Sequence, residues 1–342
     1  MKALVTGGAG FIGSNLTSHL IKKGHEVTVF DNLSRAGCDY NLAWLHNGYG
    51  SDSFNLIVED LRNFDKLRQA SEGVDIIYHL AGQVAVTTSV HNPRLDFEAN
   101  ALGTFNALEA ARLAGSDPIF IYASSNKVYG GMDGVRVVED ETRYRYDVLT
   151  NGIPETQPLD FHSPYGCSKG AGDQYTRDYA RIYGLRTVVV RQSCIYGYRQ
   201  LGIEDQGWLA WFIIAAFKKR PITIYGNGKQ VRDVLFIDDL ISLYDVIVQN
   251  IETAAGQVYN IGGGPGNTIS IWMEYGAMLE ELFAHSINIR YSDWRPGDQP
   301  VYISDIRKAE RELGWRPHIS VKEGVVSLFE WVRDNRDLFL PL

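Results

Sequence analysis

Tyr165-Gly166-Cys167-Ser168-Lys169 sets a phenol and an ammonium four residues apart at the start of a helical pattern, behind Ser163-Pro164. Residues at that spacing share a helix face, so the two groups project together. A free tyrosine has a pKa of about 10, too high for a base at neutral pH, and a nearby cation favours the phenolate. Tyr165 can then take a proton from a hydroxyl while hydride leaves the same carbon. Ser124-Ser125-Asn126 ends an apolar run, and a serine hydroxyl there can hold the reacting oxygen against Tyr165.

Hydride chemistry needs an acceptor, and the N-terminus offers a place for one. Thr6-Gly7-Gly8-Ala9-Gly10-Phe11-Ile12-Gly13 follows a first apolar run and opens a helix, with Gly7, Gly10 and Gly13 spaced G-x-x-G-x-x-G. The first glycine permits a tight turn, the second lets the main chain approach a pyrophosphate, and the third lets the helix pack on the sheet. Phe11 and Ile12 supply N–H groups at a helix start, where negative charge is favoured. Asp31 ends the second apolar run, eighteen residues past Gly13. A carboxylate there accepts ribose hydroxyls and repels a 2′-phosphate, favouring NAD. Arg35 leaves NADP open, and Asn32 and Ser34 fit either the cofactor or an ordinary turn. Asp60-Leu61 fits a place beside adenine, and Leu80-Ala81-Gly82 a floor beneath the nicotinamide half.

Those groups need a frame. Apolar runs at Ala3–Val5, Val27–Phe30, Asn55–Val58, Asp75–Tyr78, Ile119–Tyr122 and Thr187–Val190 alternate with helical patterns. This predicts an α/β fold, a doubly wound parallel sheet of Rossmann type covered on both faces. A helix is expected from about Phe11 to Lys23. Another is expected between Asn92 and Ala114, with Leu102, Phe105 and Leu108 on one stripe packing on the sheet or on a partner helix. After Arg191 short segments alternate with turns. Residues 1–191 are therefore expected to form the NAD-binding domain, with some later segments returning to it. Residues 192–342 are expected to form mainly a smaller C-terminal substrate-binding lobe, with Ile222–Tyr225, Val231–Phe236 and Val258–Ile261 as its short segments. Gly131–Pro158 is longer than a simple loop requires and either shapes a substrate pocket or lies on the surface.

The totals exclude other classes. Hydrophobic residues at 45% and charged residues at 22% describe a globular chain with a large core. A net charge of -8 argues against nucleic acid and anionic membranes as partners. Cys38, Cys167 and Cys194 have no metal-type spacing, so no metal is expected and free thiols in a reducing cytoplasm are. The longest apolar run, Trp208–Phe217, falls short of the roughly 20 residues that span a bilayer and is expected to be a buried helix. No signal-peptide pattern precedes the first strand.

The glycine turn, the serine and the Tyr/Lys pair together resemble the extended short-chain dehydrogenase/reductase family over nearly the whole chain. The resemblance implies that the catalytic serine is Ser125, five residues before Gly130 in Val128-Tyr129-Gly130. It implies that Lys169 holds the nicotinamide ribose and that Asn100 orders the active helix. Gln83, Ser124 and Ile195 join the implied cofactor contacts. Gly226-Asn227-Gly228-Lys229-Gln230-Val231-Arg232-Asp233 resembles the substrate segment, with Arg232 on the diphosphate, and Arg295-Pro296-Gly297-Asp298 resembles a second substrate arginine with Asp298 beside it. Gln83, Thr87, Asn126, Lys127, His162 and Gln206 complete the substrate contacts expected.

Dehydratases of this family carry an Asp-Glu pair after the catalytic hydroxyl; here Asn126-Lys127 stands there, which disfavours dehydration. The strings 81–89, 125–130, 159–165 and 205–208 are similar to nucleotide-sugar 2-epimerases of the CDP-tyvelose (CDP-paratose) type. That resemblance implies a CDP-linked hexose or deoxyhexose as substrate and inversion at C2 through a transient 2-keto sugar. That group can have threonine where Ser125 stands; both supply the hydroxyl. A UDP-hexose 4-epimerase is the alternative with the same base. A non-catalytic NAD-sensing protein is the alternative of another class, and it would need no Ser125/Tyr165/Lys169 set. A homodimer or homotetramer is implied by the resemblance alone.

Overall fold

The computed structural model describes residues 1–295 and 298–339. One compact unit comprises residues 1–128, 163–191 and 241–259; the other comprises 129–162, 192–240 and the chain from 260 onward. The division is thus more interleaved than a boundary at 191, with residues 129–162 grouped with the later segments.

The first unit is built on a seven-stranded sheet. Its strands are β1 (Lys2–Thr6), β2 (Glu26–Asp31), β3 (Asn55–Val58), β4 (Ile76–His79), β5 (Ile119–Ser125), β6 (Thr187–Gln192) and β7 (Val258–Ile261), in the spatial order β7-β6-β5-β4-β1-β2-β3. β1 pairs in parallel with both β2 and β4, Leu4 lying opposite Thr28 and Ile77. The pairs β2–β3 and β4–β5 are also parallel. Such strands are buried on both faces, which is why they read as unbroken apolar runs. Leu4, Phe30, Ile77, Leu108, Phe120, Tyr122 and Val189 form the core. The order reverses at β1, and the crevice at the carboxyl ends beside such a reversal is where ligands bind in these sheets.

Six of the strands fall on the apolar runs. The seventh, Val258–Ile261, is a later segment that returns to this sheet. Helix α1 (Phe11–Lys22) follows β1 as expected. The helix expected over Asn92–Ala114 is interrupted: Pro93–Asp96 and Gly103–Arg112 flank a π-helical turn at Phe97–Leu102. Leu108 is in the core, whereas Leu102 and Phe105 are exposed. Each step of three drifts by about 60° on a helix of 3.6 residues per turn, so Leu108 lies about 120° round from Leu102, at the edge of the stripe that turns to the core. The active helix, α2, spans Ser163–Tyr183.

In the second unit Val231–Asp233 lies between Thr268–Ser270, antiparallel, and Val301–Tyr302, parallel. Ile222–Tyr225 pairs with Ile289–Ser292, and Leu235–Phe236 with Ile195–Tyr196. Trp208–Phe217 is the expected buried helix, apolar around most of its circumference. The segment 131–158 contains a hairpin, Val137–Glu139 against Tyr144–Tyr146. Among the described residues no helix is long and apolar enough to cross a membrane.

Candidate active site

The turn between β1 and α1 leaves no room for side chains. Gly7 has φ +72°, and a Cβ there would lie 2.7 Å from the Ala81 nitrogen. A Cβ at Gly13 would lie 2.1 Å from the Gly7 carbonyl oxygen. The main chain is thereby drawn tight, and no side chain caps α1 at Gly10. A bare helix start reached only by glycine backbone suits a pyrophosphate, so the residues present fit a dinucleotide.

Asp31 is buried at the end of β2. Its carboxylate accepts hydrogen bonds from the Ala9 N–H (3.0 Å) and the Leu33 N–H (2.9 Å). Burial raises its pKa, and these two N–H groups pull the other way. A carboxylate has further lone pairs for ribose hydroxyls. Asn32 donates from Nδ2 to Asp60 (2.8 Å) and accepts from the Ser34 N–H (3.1 Å), a turn of its own. Arg62 binds the Asp60 carboxylate through Nε and Nη2 and holds it down to about 2. Ser34 and Arg35 are exposed, and the Leu61 side chain belongs to the core.

Past β4, Leu80 and Ala81 are tied to Thr6, whose carbonyl and hydroxyl accept their N–H groups. Gly82 accommodates Asn100, whose Oδ1 would meet a Cβ there at 2.4 Å. Asn100 stands in the π-helical turn and donates to the Gln83 carbonyl and to Asp96, both at 3.0 Å. The side-chain amide of Gln83 turns back on its own loop, bonding the Ala85 carbonyl and N–H. Among the described residues the buried hydroxyl of Thr87 has no partner, an open group of the kind a ligand satisfies.

Ser125, Tyr165 and Lys169 are all buried, and the Ser125 hydroxyl lies on the side of the Tyr165 phenol. The Ser125 oxygen also accepts from the Lys127 N–H (3.2 Å) and contacts the buried Asn126 amide (3.4 Å). The backbone N–H of Tyr165 donates to Ser89 Oγ (3.1 Å), which pins the start of α2. Ser124 is turned away: its hydroxyl donates to Asp173 (2.8 Å), which Arg191 grips through Nε (2.8 Å) and Nη2 (2.9 Å). The main chain of Ser124 is what remains for the expected cofactor contact.

Burial is the largest influence on both Tyr165 and Lys169. It raises the Tyr165 phenol above its ordinary value; the Ser125 hydroxyl pulls down and the Asp96 carboxylate pushes up. Burial lowers Lys169 to about 8, against the pull of Asp96 and Asp173. Desolvation penalises both charged forms, which a spacing argument from sequence does not register. Asp96, fully buried and bonded to Ser168 and Asn100, is a member of the site that the sequence reading missed.

In the second unit Arg232 is buried and its Nη2 donates to Asp298 (2.6 Å), joining two of the expected substrate residues. Arg295 lies with its guanidinium 3.9 Å from the centre of the Tyr225 ring, paired to Asp205 at 3.2 Å. Pro296 and Gly297 of that motif lie outside the described residues. His162 is half-exposed and pairs with Asp160 (3.0 Å). Ile195 lies in a short strand, and Gln206 bonds Ile203 through the backbone.

Residues 4–328 match the family model described as GDP-mannose 4,6 dehydratase. The chain belongs to this family of extended short-chain dehydrogenases/reductases. Relatives within the family differ in the reaction they are named for. A CDP-paratose 2-epimerase of Salmonella typhi is 46% identical over 340 residues, covering 97% of this chain and 99% of that protein. The dTDP-glucose 4,6-dehydratase DesIV of Streptomyces venezuelae, solved with NAD bound, superposes with a TM-score of 0.85 at 29% identity, covering 100% of this chain and 99% of the other. A UDP-glucuronic acid 4-epimerase of Bacillus cereus, in complex with UDP-glucuronic acid and NAD, gives 0.84 at 28% identity, covering 98% and 99%.

Proposed function

We propose that this family member is an NAD-dependent epimerase that inverts C2 of a CDP-linked deoxyhexose. The cofactor is NAD, the substrate is a nucleotide-linked sugar, and the reaction is oxidation followed by reduction of one carbinol. The observation that carries the reading is the buried set of Ser125, Tyr165 and Lys169, the last two on one helix, in a chain with Asn126-Lys127 where a dehydratase has its Asp-Glu pair. The likeness to a 2-epimerase over nearly the full length supports the choice of carbon.

The first compact unit holds the cofactor, with Gly7, Gly10 and Gly13 on the pyrophosphate and Asp31 on the adenosine ribose. NAD supplies the hydride acceptor, and later its donor. Ser125 orients the reacting hydroxyl, Tyr165 takes its proton and later returns it, and Lys169 holds the nicotinamide ribose. Arg232 and Arg295, in the second unit, bind the diphosphate, and protein of this kind works in the cytoplasm.

The purified protein is to be incubated with CDP-paratose and, separately, UDP-glucose, and the products assigned by NMR couplings. Inversion at C2 of the CDP sugar is expected. Inversion only at C4 of the UDP sugar would replace the proposal with a 4-epimerase, and binding of NAD without turnover of either would leave an NAD-responsive binding protein.

The partner is a second copy of the chain. Phe97, Leu102 and Phe105 stand exposed on one helical segment, and Tyr175, Ile182 and Tyr183 on α2. Phe105 meets Tyr175 edge-on at 5.7 Å, which makes the two rows one apolar face. Contiguous apolar surface of this kind marks an interface, and a symmetric pair buries it on both copies at once.

A further inference from the structure

Beneath the ammonium of Lys169 lies an aromatic stack to which none of the steps above assigns a role. Nζ is 4.5 Å from the centre of the Tyr122 ring. Tyr122 is fully buried on β5 and stacks at 20° on His79 of β4, with ring centres 5.7 Å apart. His79 is held at both nitrogens, Nδ1 to the Thr6 hydroxyl (2.9 Å) and Nε2 to the Thr104 hydroxyl (3.0 Å). The Tyr122 hydroxyl donates to the Lys169 carbonyl (3.3 Å), and Gly172 makes room for it, since a Cβ there would lie 2.5 Å away.

We propose that Tyr122 is a positioning residue whose π face seats the Lys169 ammonium, with neutral His79 as the backing of that seat. A buried ammonium lacks water and needs negative charge density on more than one side. Asp96 and Asp173 face it as carboxylates, Asp173 being shared with Arg191 of β6; Tyr122 and His79 face it from β5 and β4. Tyr165 shares its helix. The ring is the member that fixes a position, because the stack runs unbroken from Lys169 through Tyr122 and His79 to Thr6, the residue that enters the glycine turn. A histidinium behind the ring would repel the ammonium; burial and Lys169 hold His79 neutral.

The seat itself stands on geometry, and its use in turnover rests on the proposed role of Lys169 in holding the nicotinamide ribose. Phenylalanine and its mono-, di- and trifluoro analogues at position 122 retain the shape of the ring while withdrawing electron density from its face. The Lys169 ammonium would be titrated by NMR in the NAD-bound protein, with Lys169→Arg to assign the signal, alongside kcat and KM. Tyr122→Phe should titrate close to the unaltered protein. The trifluoro ring should lower the titration midpoint by about one pH unit and kcat by about tenfold, leaving KM for the nucleotide sugar in place. A midpoint that stays constant across the series overturns the proposal, whatever happens to turnover. A graded midpoint together with full activity in Lys169→Arg upholds the seat and removes instead the catalytic reading of Lys169.

Discussion

At the scale of single residues the site is a contest between burial and charge. The phenol of Tyr165 is raised by its surroundings, so its proposed role as a base needs positive charge close by, which an oxidised nicotinamide would supply. Tyr165→Phe is expected to retain bound NAD, measured by release on denaturation, and to lose kcat by about a thousandfold, the upper part of the range for a positioned acid–base group. Equal turnover would remove the assigned base. His79 makes a second prediction. Burial, and then Lys169, lower it to about 3, below its unfolded value of about 6.5. Between those values the unfolded chain binds a proton that the folded one refuses, so stability falls as pH drops through this window, by at most about 1.4 kcal/mol per unit. Denaturation midpoints from pH 7 to pH 4 should fall more steeply for the protein than for His79→Gln; parallel curves would show that the histidine does not contribute.

At the scale of elements, two close approaches set the geometry. Gly13 brings α1 onto the turn that precedes it, and Gly172 brings α2 onto Tyr122 of β5. Gly13→Ala would place a methyl 2.1 Å from a backbone oxygen that cannot swing aside. We expect bound NAD to be lost and stability to fall by about 1–3 kcal/mol, the cost of overpacking. Gly48→Ala, in a helix with open space around it, is the control and should be neutral or mildly stabilising in thermal unfolding. The Asp173–Arg191 pair with Ser124 stitches α2 to β6 and β5, which explains why one serine of the Ser124-Ser125 step is structural and the other faces the phenol.

At the scale of the molecule, interleaving follows from the sheet. β6 and β7 must return to its edge, so the chain leaves the first unit after Val128 and comes back more than once. The apolar face of Phe105 and Tyr175 belongs to this scale also. Phe105→Glu combined with Ile182→Glu is expected to convert a dimer to a monomer in sedimentation velocity. A dimer that persists unchanged would place the interface elsewhere.

The local signals were sufficient for whatever depends on neighbours in sequence. Unbroken apolar runs marked six strands because a parallel sheet is dry on both faces, and the glycine spacing marked the turn because no other residue fits it. The four-residue step put Tyr165 and Lys169 on one face of α2. Tertiary structure alone decided which groups from distant segments meet. Asp96, His79 and Tyr122 come from three elements, and no spacing joins them to Lys169. Nor does a spacing report desolvation, which depends on everything packed around a group and here raises the phenol.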